Sequence, residues 1–235
     1  GFGVTAYEAY RYIVEERDKN FLRRTFEAYF PPNVVGRIMA NPHLIASVGE
    51  RKELTIMFSD LVGFTGRSAT MSPDEIRALL NSYFEAMIDI VFKYEGTVDK
   101  FMGDGLMVFF GDPDPQPDHA LRCVRMAIDM QKKIRELSHS WEQGGGRPLQ
   151  ARIGINSGLV VVGNMGSARR LSYTVLGSAV NLAQRLESNA PLGGILISQR
   201  TQELIDGAVP TRHVGQVQIK GLEEPVDAFE VLTPE

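Results

Sequence analysis

Leu54-Thr-Ile-Met-Phe-Ser-Asp60-Leu-Val-Gly-Phe-Thr-Gly66 is the stretch around which this 235-residue chain is arranged. Its first five residues are apolar or β-branched and predict a short buried strand over 54–58. Asp60 follows that strand, and Gly63 and Gly66 loosen the backbone before a helix that begins near Ser72. A carboxylate is a hard oxygen ligand, and backbone N–H groups of a glycine turn can point at phosphate oxygens. The pattern indicates a site for a cation and a phosphate, although aspartate at a strand end also serves turns.

A second stretch, Gly96-Thr-Val-Asp-Lys100-Phe-Met-Gly-Asp104-Gly-Leu-Met-Val-Phe-Phe110, contains two apolar strands around an Asp-Gly pair. Asp-Gly between apolar runs predicts a hairpin, so Asp104 is first of all a turn residue. A hairpin also presents its turn carboxylate at the end of a sheet, where the strand-end Asp60 could meet it. Two such carboxylates could share a pair of Mg²⁺ ions that clamp a transferring phosphoryl group, and the ions would relieve their mutual repulsion.

The remaining pattern predicts alternating helices and short strands. Ser72-Pro-Asp-Glu75 is a capping box that starts an amphipathic helix, and residues 119–141 form a second one. Strands are expected over 149–156 and 159–163, joined by a Ser-Gly turn, and over 195–198, 214–220 and 226–232. Residues 164–172 are expected to form a polar, basic arm or loop, and residues 178–189 a helix. The order strand, helix, hairpin, helix, strand indicates a mixed α and β fold with antiparallel pairing.

Composition excludes several classes of protein. The net charge is -4 and no basic cluster stands out, so nucleic acid is not an expected partner. Cys123 is the one cysteine and lies in an apolar helical pattern, which fits a reducing compartment and a core position. No stretch has the length and apolarity of a membrane span. Because the chain starts at Gly1 rather than Met, we expect it to be a piece of a longer protein.

Residues Tyr7–Phe30 predict one helix with an apolar stripe, ended by Pro31-Pro32. Two interpretations of this helix stay open at the level of the pattern. It packs on its own domain, or it pairs in parallel with a second copy and carries a signal into the domain that follows.

Together with Thr174-Val-Leu-Gly-Ser-Ala-Val-Asn181-Leu-Ala-Gln-Arg185, the first two stretches resemble the catalytic domain of class III nucleotidyl cyclases. The resemblance covers about Arg51 to Leu232, and several spaced motifs agree at once. It implies an α+β fold with a ferredoxin-like βαββαβ palm core and a small added subdomain. It divides the chain into a signalling helix and connector over 1–50 and a catalytic domain over 51–235.

The resemblance implies the cyclisation of ATP to 3′,5′-cyclic AMP and pyrophosphate. It gives two Mg²⁺ ions, for which Mn²⁺ can substitute, to Asp60, Asp104 and the backbone carbonyl of Leu61. It gives phosphate binding to backbone N–H groups around Gly63, Phe64 and Thr65, and to Lys220 and Arg169, with Arg170 as the other candidate for the arginine.

Further positions follow from the same resemblance. Lys100 would donate to adenine N1 and Thr174 would accept from the adenine amino group, which favours ATP over GTP because guanine N1 carries a proton. Asn181 would orient the ribose and Arg185, one helical turn later, would stabilise the transition-state phosphate. From the residues alone, Lys100 could equally be a solvated strand charge, and Asn181 and Arg185 a polar surface stripe.

In this family the metal-binding aspartates come from one subunit and the base, ribose and transition-state residues from the other. A chain that holds both sets is expected to form a homodimer with two composite sites. The resemblance also favours a signalling role for the first helix, in a cytoplasmic domain of a membrane-anchored or sensor-linked parent protein. Two alternatives are a guanylyl cyclase of the same fold and an inactive nucleotide-binding regulatory module.

Overall fold

The computed structural model describes residues 35–36, 39–40, 49–167, 170–218 and 225–233. The helix expected over 7–30 lies outside the described residues, as do Arg169, Lys220 and most of the connector over 33–50. The division of the chain near residue 50 therefore stays a prediction.

In chain order the described elements are β1 (Glu50–Leu61), α1 (Phe64–Ser68), α2 (Pro73–Lys93), β2 (Thr97–Met102), β3 (Gly105–Phe110), α3 (His119–Gln143), β4 (Ala151–Ser167), β5 (Arg170–Leu176), α4 (Ser178–Asn189), β6 (Ile195–Ser198), α5 (Gln199–Ile205), β7 (Thr211–Val217) and β8 (Val226–Val231). The capping box at Ser72 is formed in both directions: Ser72 accepts from the Glu75 N–H, and the Glu75 carboxylate accepts from the Ser72 N–H. This double cap starts α2 at the predicted residue.

The first four strands form the palm. Their order across the sheet is β2-β3-β1-β4, and every neighbouring pair is antiparallel. This is the strand order of a ferredoxin-like βαββαβ unit, with α2 and α3 as the crossover helices, so the expected fold is confirmed. The sheet continues through β6, which is parallel to β4, to β8 and β7, while β5 folds back on β4 as a hairpin. These later strands, with α4 and α5, are the added part.

From Leu54 onward, strand β1 is buried on both faces, because helices cover the sheet from two sides. Leu54, Ile56 and Phe58 belong to one apolar cluster, which includes Ala183 of α4. Met57 and Leu61 belong to the larger cluster formed with α2 and α3. A strand covered on both faces has no polar alternation, and this explains the nearly continuous apolar run of residues 54–58.

The expectation of two strands joined by a Ser-Gly turn was wrong. Ser157 and Gly158 lie inside the single strand β4, where they pair with Thr55 and Leu54. The Ser157 hydroxyl lies 2.7 Å from that of Thr55 and 3.0 Å from that of Thr201. The serine is therefore a buried hydrogen-bonding position, and no chain reversal occurs there.

Other differences concern the lengths of elements. The described part of 164–172 belongs to the β4–β5 hairpin, and the strand expected over 214–220 starts earlier, at Thr211. The short helices α1 and α5 were not predicted. None of the helices in the described ranges combines the length and apolarity needed to cross a bilayer.

Candidate active site

Two carboxylates meet at one end of the palm. Asp60 is the penultimate residue of β1, and Asp104 lies in the β2–β3 turn beside it. The two carboxyls are close enough to share a proton, and the backbone N–H of Leu61 donates toward both. Partial burial raises the pKa of Asp60, and burial together with the charge of Asp60 raises the pKa of Asp104. The pair therefore favours a bound cation or a shared proton over two bare charges.

The close approach of this hairpin to β1 depends on Gly105. A Cβ atom at this residue would lie 2.9 Å from the Ser59 carbonyl oxygen and 3.4 Å from Oδ1 of Asp60. The preceding Gly103 has φ of +66°, in the left-handed region that favours glycine. The glycines on both sides of Asp104 therefore let its carboxyl reach Asp60.

Two further charged residues lie near the pair, and neither was predicted from the sequence to belong to the site. Arg152 of β4 is the register partner of Asp60, and its positive charge offsets part of the rise that burial causes in the pKa of that carboxyl. Glu187 of α4 is half-buried, and its pKa is raised by burial first and by the negative charge of Asp60 next. No local sequence signal marks either residue. The place of Arg152 beside Asp60 requires the pairing of β1 with β4 to be known, and Glu187 lies on the helix α4.

A second group of polar side chains joins β2 to β5. Nζ of Lys100 lies 3.4 Å from Oγ1 of Thr174, although 74 residues separate them in the chain. Asp99 also belongs to this group: its Oδ2 accepts from the Thr174 hydroxyl at 2.6 Å, and its Oδ1 lies 3.1 Å from Lys100 Nζ. The two residues expected to read the base are thus neighbours, and a buried carboxylate lies between them. An aspartate within an apolar strand was the sequence signal for Asp99, since strands are poor in this residue.

Asn181 and Arg185 lie together on the exposed face of α4, while Ala183 and Leu186 bury the opposite face. Their shared face is the predicted one. Among the residues that the structure describes, no hydrogen bond or ion pair joins the side chain of Asn181 or Arg185 to Asp60, Asp104, Lys100 or Thr174. The described part of the chain therefore presents three groups of expected site residues that no hydrogen bond or ion pair joins to one another.

The residues expected to bind phosphate follow β1. Gly63 has φ of +70°, so the chain turns sharply there, and Phe64 opens the short helix α1 with its side chain in the core. Thr65 follows in the first turn of α1. The turn is close in sequence to the carboxylates, because two residues separate Asp60 from Gly63.

The donor set fits a hard cation. Asp60 and Asp104 supply carboxylate oxygens, and the backbone carbonyl of Leu61, the residue that follows Asp60, is the further ligand that the family resemblance implies. Among the described residues no cluster of three or more Asp, Glu, His or Cys side chains could hold a metal. A site with two carboxylates suits Mg²⁺, which usually keeps waters and substrate phosphates as its other ligands.

Comparisons with known proteins show the family to which this fold belongs. The family model for the adenylate and guanylate cyclase catalytic domain matches residues 47–232. Adenylate cyclase 1 of Rhizobium meliloti is 31% identical over 210 residues, which make up 88% of this chain and 32% of that protein. The crystal structure of the adenylyl cyclase CyaB from P. aeruginosa has a TM-score of 0.78 and 43% identity, covering 80% of this chain and 98% of that one. The guanylyl cyclase Cya2 has a TM-score of 0.75 and 42% identity, with coverages of 80% and 96%.

The chain spans less than half the length of the curated relatives it matches: 32% of the Rhizobium protein, 37% of an adenylate cyclase of Mycobacterium tuberculosis and 17% of a receptor-type guanylate cyclase of Caenorhabditis elegans. The match covers both the palm and the added part, including each group of site residues that the structure describes. The resemblance noted in the sequence is confirmed, and the chain belongs to the adenylate and guanylate cyclase catalytic domain family.

Proposed function

We propose that this chain is an adenylyl cyclase domain, which converts ATP to 3′,5′-cyclic AMP and pyrophosphate. Overall similarity does not separate the two activities of the family, since an adenylyl and a guanylyl cyclase match it almost equally well. The observation that carries the proposal is the contact between Lys100 and Thr174, with Nζ 3.4 Å from Oγ1. A donor and an acceptor at this separation match two adjacent atoms on the edge of one base.

The chemistry of the two side chains favours adenine. Lysine only donates hydrogen bonds, and adenine N1 is an acceptor, whereas guanine N1 carries a hydrogen. Thr174 can accept from the adenine amino group, where guanine instead has a carbonyl oxygen. A mismatch leaves buried polar groups unpaired, which disfavours the wrong base strongly.

In the reaction the 3′-hydroxyl attacks the α-phosphorus and pyrophosphate leaves, so the enzyme must mainly position the substrate and neutralise charge. Asp60, Asp104 and the Leu61 carbonyl would hold two divalent ions, Mg²⁺ or Mn²⁺. When bound, such ions lower the pKa of the attacking hydroxyl and balance the phosphate charges. Asn181 orients the ribose, and the guanidinium of Arg185 stabilises the charge that develops on the transferring phosphate.

Phosphate binding completes the proposed site. Backbone N–H groups at Gly63, Phe64 and Thr65 face the β- and γ-phosphates, and Lys220 and Arg169 add positive charge.

We propose that the active unit is a homodimer with two sites, each built from the carboxylates of one subunit and the base and ribose residues of the other. Support comes from the absence of any hydrogen bond or ion pair between these groups among the described residues of one chain. Apolar side chains are also exposed on β2 beside them: Phe101 is 50% exposed and Met102 37%. These two residues lie between Lys100 and Asp104, so a second copy that completes the site would also cover them.

We further propose a cytoplasmic location and a longer, membrane-anchored or sensor-linked parent protein.

The test is cyclic nucleotide production from ATP and from GTP, with Mg²⁺ and with Mn²⁺, over a range of protein concentrations. We expect cyclic AMP, at a rate that rises faster than linearly with protein because dimerisation completes the site. Cyclic GMP as the main product would contradict the roles of Lys100 and Thr174. ATP binding without any product would indicate a regulatory module.

A further inference from the structure

A β-bulge places Asp99 and Lys100 on the same side of β2. Val98 pairs with Val108 and Lys100 pairs with Met107, so Asp99 is an extra residue in the ladder. In a regular strand, adjacent side chains point to opposite faces. Here both reach the Thr174 hydroxyl, Asp99 at 2.6 Å and Lys100 at 3.4 Å. Bulges commonly re-aim a side chain next to an active site.

The direction of the Thr174 hydrogen bond follows from the donors and acceptors present. A hydroxyl has one proton and two lone pairs, and a carboxylate only accepts. The Thr174 proton therefore goes to Oδ2 of Asp99, and the Thr174 oxygen is left to accept. Lys100 contributes in the same direction, because its ammonium donates to that oxygen.

The carboxylate is itself held in place. The Asp99 side chain is 1% exposed, and the Val175 N–H donates to Oδ2 at 3.4 Å. Its other oxygen, Oδ1, accepts no hydrogen bond from a described residue and lies 3.1 Å from the Lys100 ammonium. Asp99 thus fixes the hydroxyl through one oxygen and keeps the lysine nearby through the other.

We propose that Asp99 is a specificity-determining positioning residue, which prevents Thr174 from donating to the base and so sets the preference for adenine over guanine. The inference rests on the proposed function and names a residue that acts through Thr174. Threonine alone does not distinguish an amino group from a carbonyl oxygen, since a freely rotating hydroxyl can accept from one or donate to the other. With its proton held by Asp99, it offers only lone pairs, which repel guanine O6.

The first test is Asp99→Ala, with kcat/KM measured for ATP and for GTP in the dimeric enzyme. The freed hydroxyl can donate to guanine O6, so we expect the ATP:GTP ratio of kcat/KM to fall by about tenfold. The absolute kcat/KM for GTP should rise. The preference should not invert, because Lys100 still opposes guanine N1–H. If the alanine variant folds poorly, Asp99→Ser takes its place. Serine is smaller and both donates and accepts hydrogen bonds, and it should shift the ATP:GTP ratio in the same direction.

A second test asks whether the effect passes through the hydroxyl. In a Thr174→Val background there is no proton to orient, so adding Asp99→Ala should change the ATP:GTP ratio by less than about twofold. A large further change in that background would mean that Asp99 acts by another route.

Asp112→Ala is a matched control. The Asp112 side chain is also 1% exposed, lies 2.7 Å from the ammonium of Lys52 and accepts from the hydroxyl of Tyr173, the neighbour of Thr174 on β5. The Asp112→Ala substitution should destabilise the same region and so lower the melting temperature, but it should leave the ATP:GTP ratio of kcat/KM unchanged.

The outcomes separate the two proposals. A wild-type enzyme that makes cyclic AMP, with an unchanged ratio in both Asp99 variants, would overturn the role of Asp99 and leave the proposed function intact. A wild-type enzyme that prefers GTP would overturn the proposed function. If no cyclic nucleotide forms, the same ratio is measured by competition of ATP and GTP against a fluorescent nucleotide, and the tenfold fall is expected in binding.

Discussion

At the scale of single residues, Asp60 and Asp104 place two carboxyls close together, which suits a bound cation but lowers the stability of the fold when no cation is present. Burial, and for Asp104 also the charge of its neighbour, raise the pKa of both carboxyls above the ordinary value of 3.8. A carboxyl whose pKa is higher in the folded than in the unfolded state destabilises the fold increasingly as the pH rises through that interval. At neutral pH without a metal ion, the pair therefore opposes folding.

Asp104→Asn removes one charge from this pair without changing its size. In chelator at pH 7 we expect the melting temperature to rise by about 1–3 °C, a small gain because solvent screens the half-exposed pair. The advantage should disappear below about pH 4, where the wild-type carboxyls are protonated. Thermal melts at several pH values measure both effects.

The same variant should lose its response to metal. Mg²⁺ or Mn²⁺ should stabilise the wild-type protein and have little effect on Asp104→Asn, and cyclase activity should be lost. Asp74→Asn, which removes an exposed carboxylate that is ion-paired with Arg77 on α2, is the control for a general charge effect. Equal stabilisation of both variants by the metal ion would contradict a cation site at Asp104.

At the scale of elements, α4 packs directly on the backbone of β4 at Gly154. A Cβ atom at Gly154 would lie 2.0 Å from the backbone nitrogen of Glu187 and 2.4 Å from the carbonyl oxygen of Ala183. Both neighbours are backbone atoms of a helix, so no side-chain rotation can relieve the overlap. This contact fixes the height of α4 above the sheet, and with it the position of Asn181 and Arg185.

Gly154→Ala should push α4 away from the sheet. We expect the free energy of unfolding to fall by about 2–3 kcal/mol, as for an overpacked core. We also expect kcat to fall more than KM rises, because a helix shifted by about 1 Å misplaces groups that act in the transition state. Denaturant unfolding and steady-state kinetics measure the two effects.

Gly158→Ala, on the same strand, is the graded control. Its Cβ atom would meet the Cβ of Ala179 at 3.0 Å, a side-chain atom near the start of α4. The loss of stability and of kcat should both be smaller than for Gly154→Ala. Equal losses in the two variants would mean that the contact at Gly154 has no special role in placing α4.

Elements with strong local signals could be predicted from the sequence. The capping box at Ser72 and the Asp-Gly turn at Asp104 are each encoded by a few adjacent residues, and both formed as expected. The pairing of Asp60 with Asp104 followed from placing a strand end beside a hairpin turn.

Features that depend on long-range pairing were missed. Ser157-Gly158 looks like a turn, yet both residues are extended because they pair with Thr55 and Leu54 in the ladder between β1 and β4. The serine hydroxyl is hydrogen-bonded to those of Thr55 and Thr201. The bulge at Asp99 is visible only once β2 is aligned with β3. The register of Arg152 with Asp60 likewise requires the sheet.

At the scale of the whole molecule, the proposed dimer predicts complementation between inactive chains. Asp60→Ala lacks a metal ligand and Asn181→Ala lacks the ribose residue, so each homodimer should be almost inactive. Random mixing at a 1:1 ratio gives heterodimers for half of the dimers, each with one intact site. Activity should therefore recover to about a quarter of the wild-type level.

Asp60→Ala mixed with Asp104→Ala is the control, because both changes damage the same half of the site. Here every site lacks one carboxylate, and no recovery is expected. Absence of recovery in the first mixture, with mixed dimers demonstrated by two affinity tags, would contradict the shared site.

Strand β1 has a mechanical consequence. It extends without a break for 12 residues from Glu50 to Leu61, about 36 Å at the rise of a strand. It pairs with β4 along its whole length and with β3 over residues 55–59. Sliding it by one residue would shift the register of both ladders and move each core side chain from one apolar cluster to the other, where it does not fit. β1 therefore cannot slide relative to β3 and β4. A displacement or rotation applied at Glu50 reaches Asp60 as a rigid-body movement of the whole sheet.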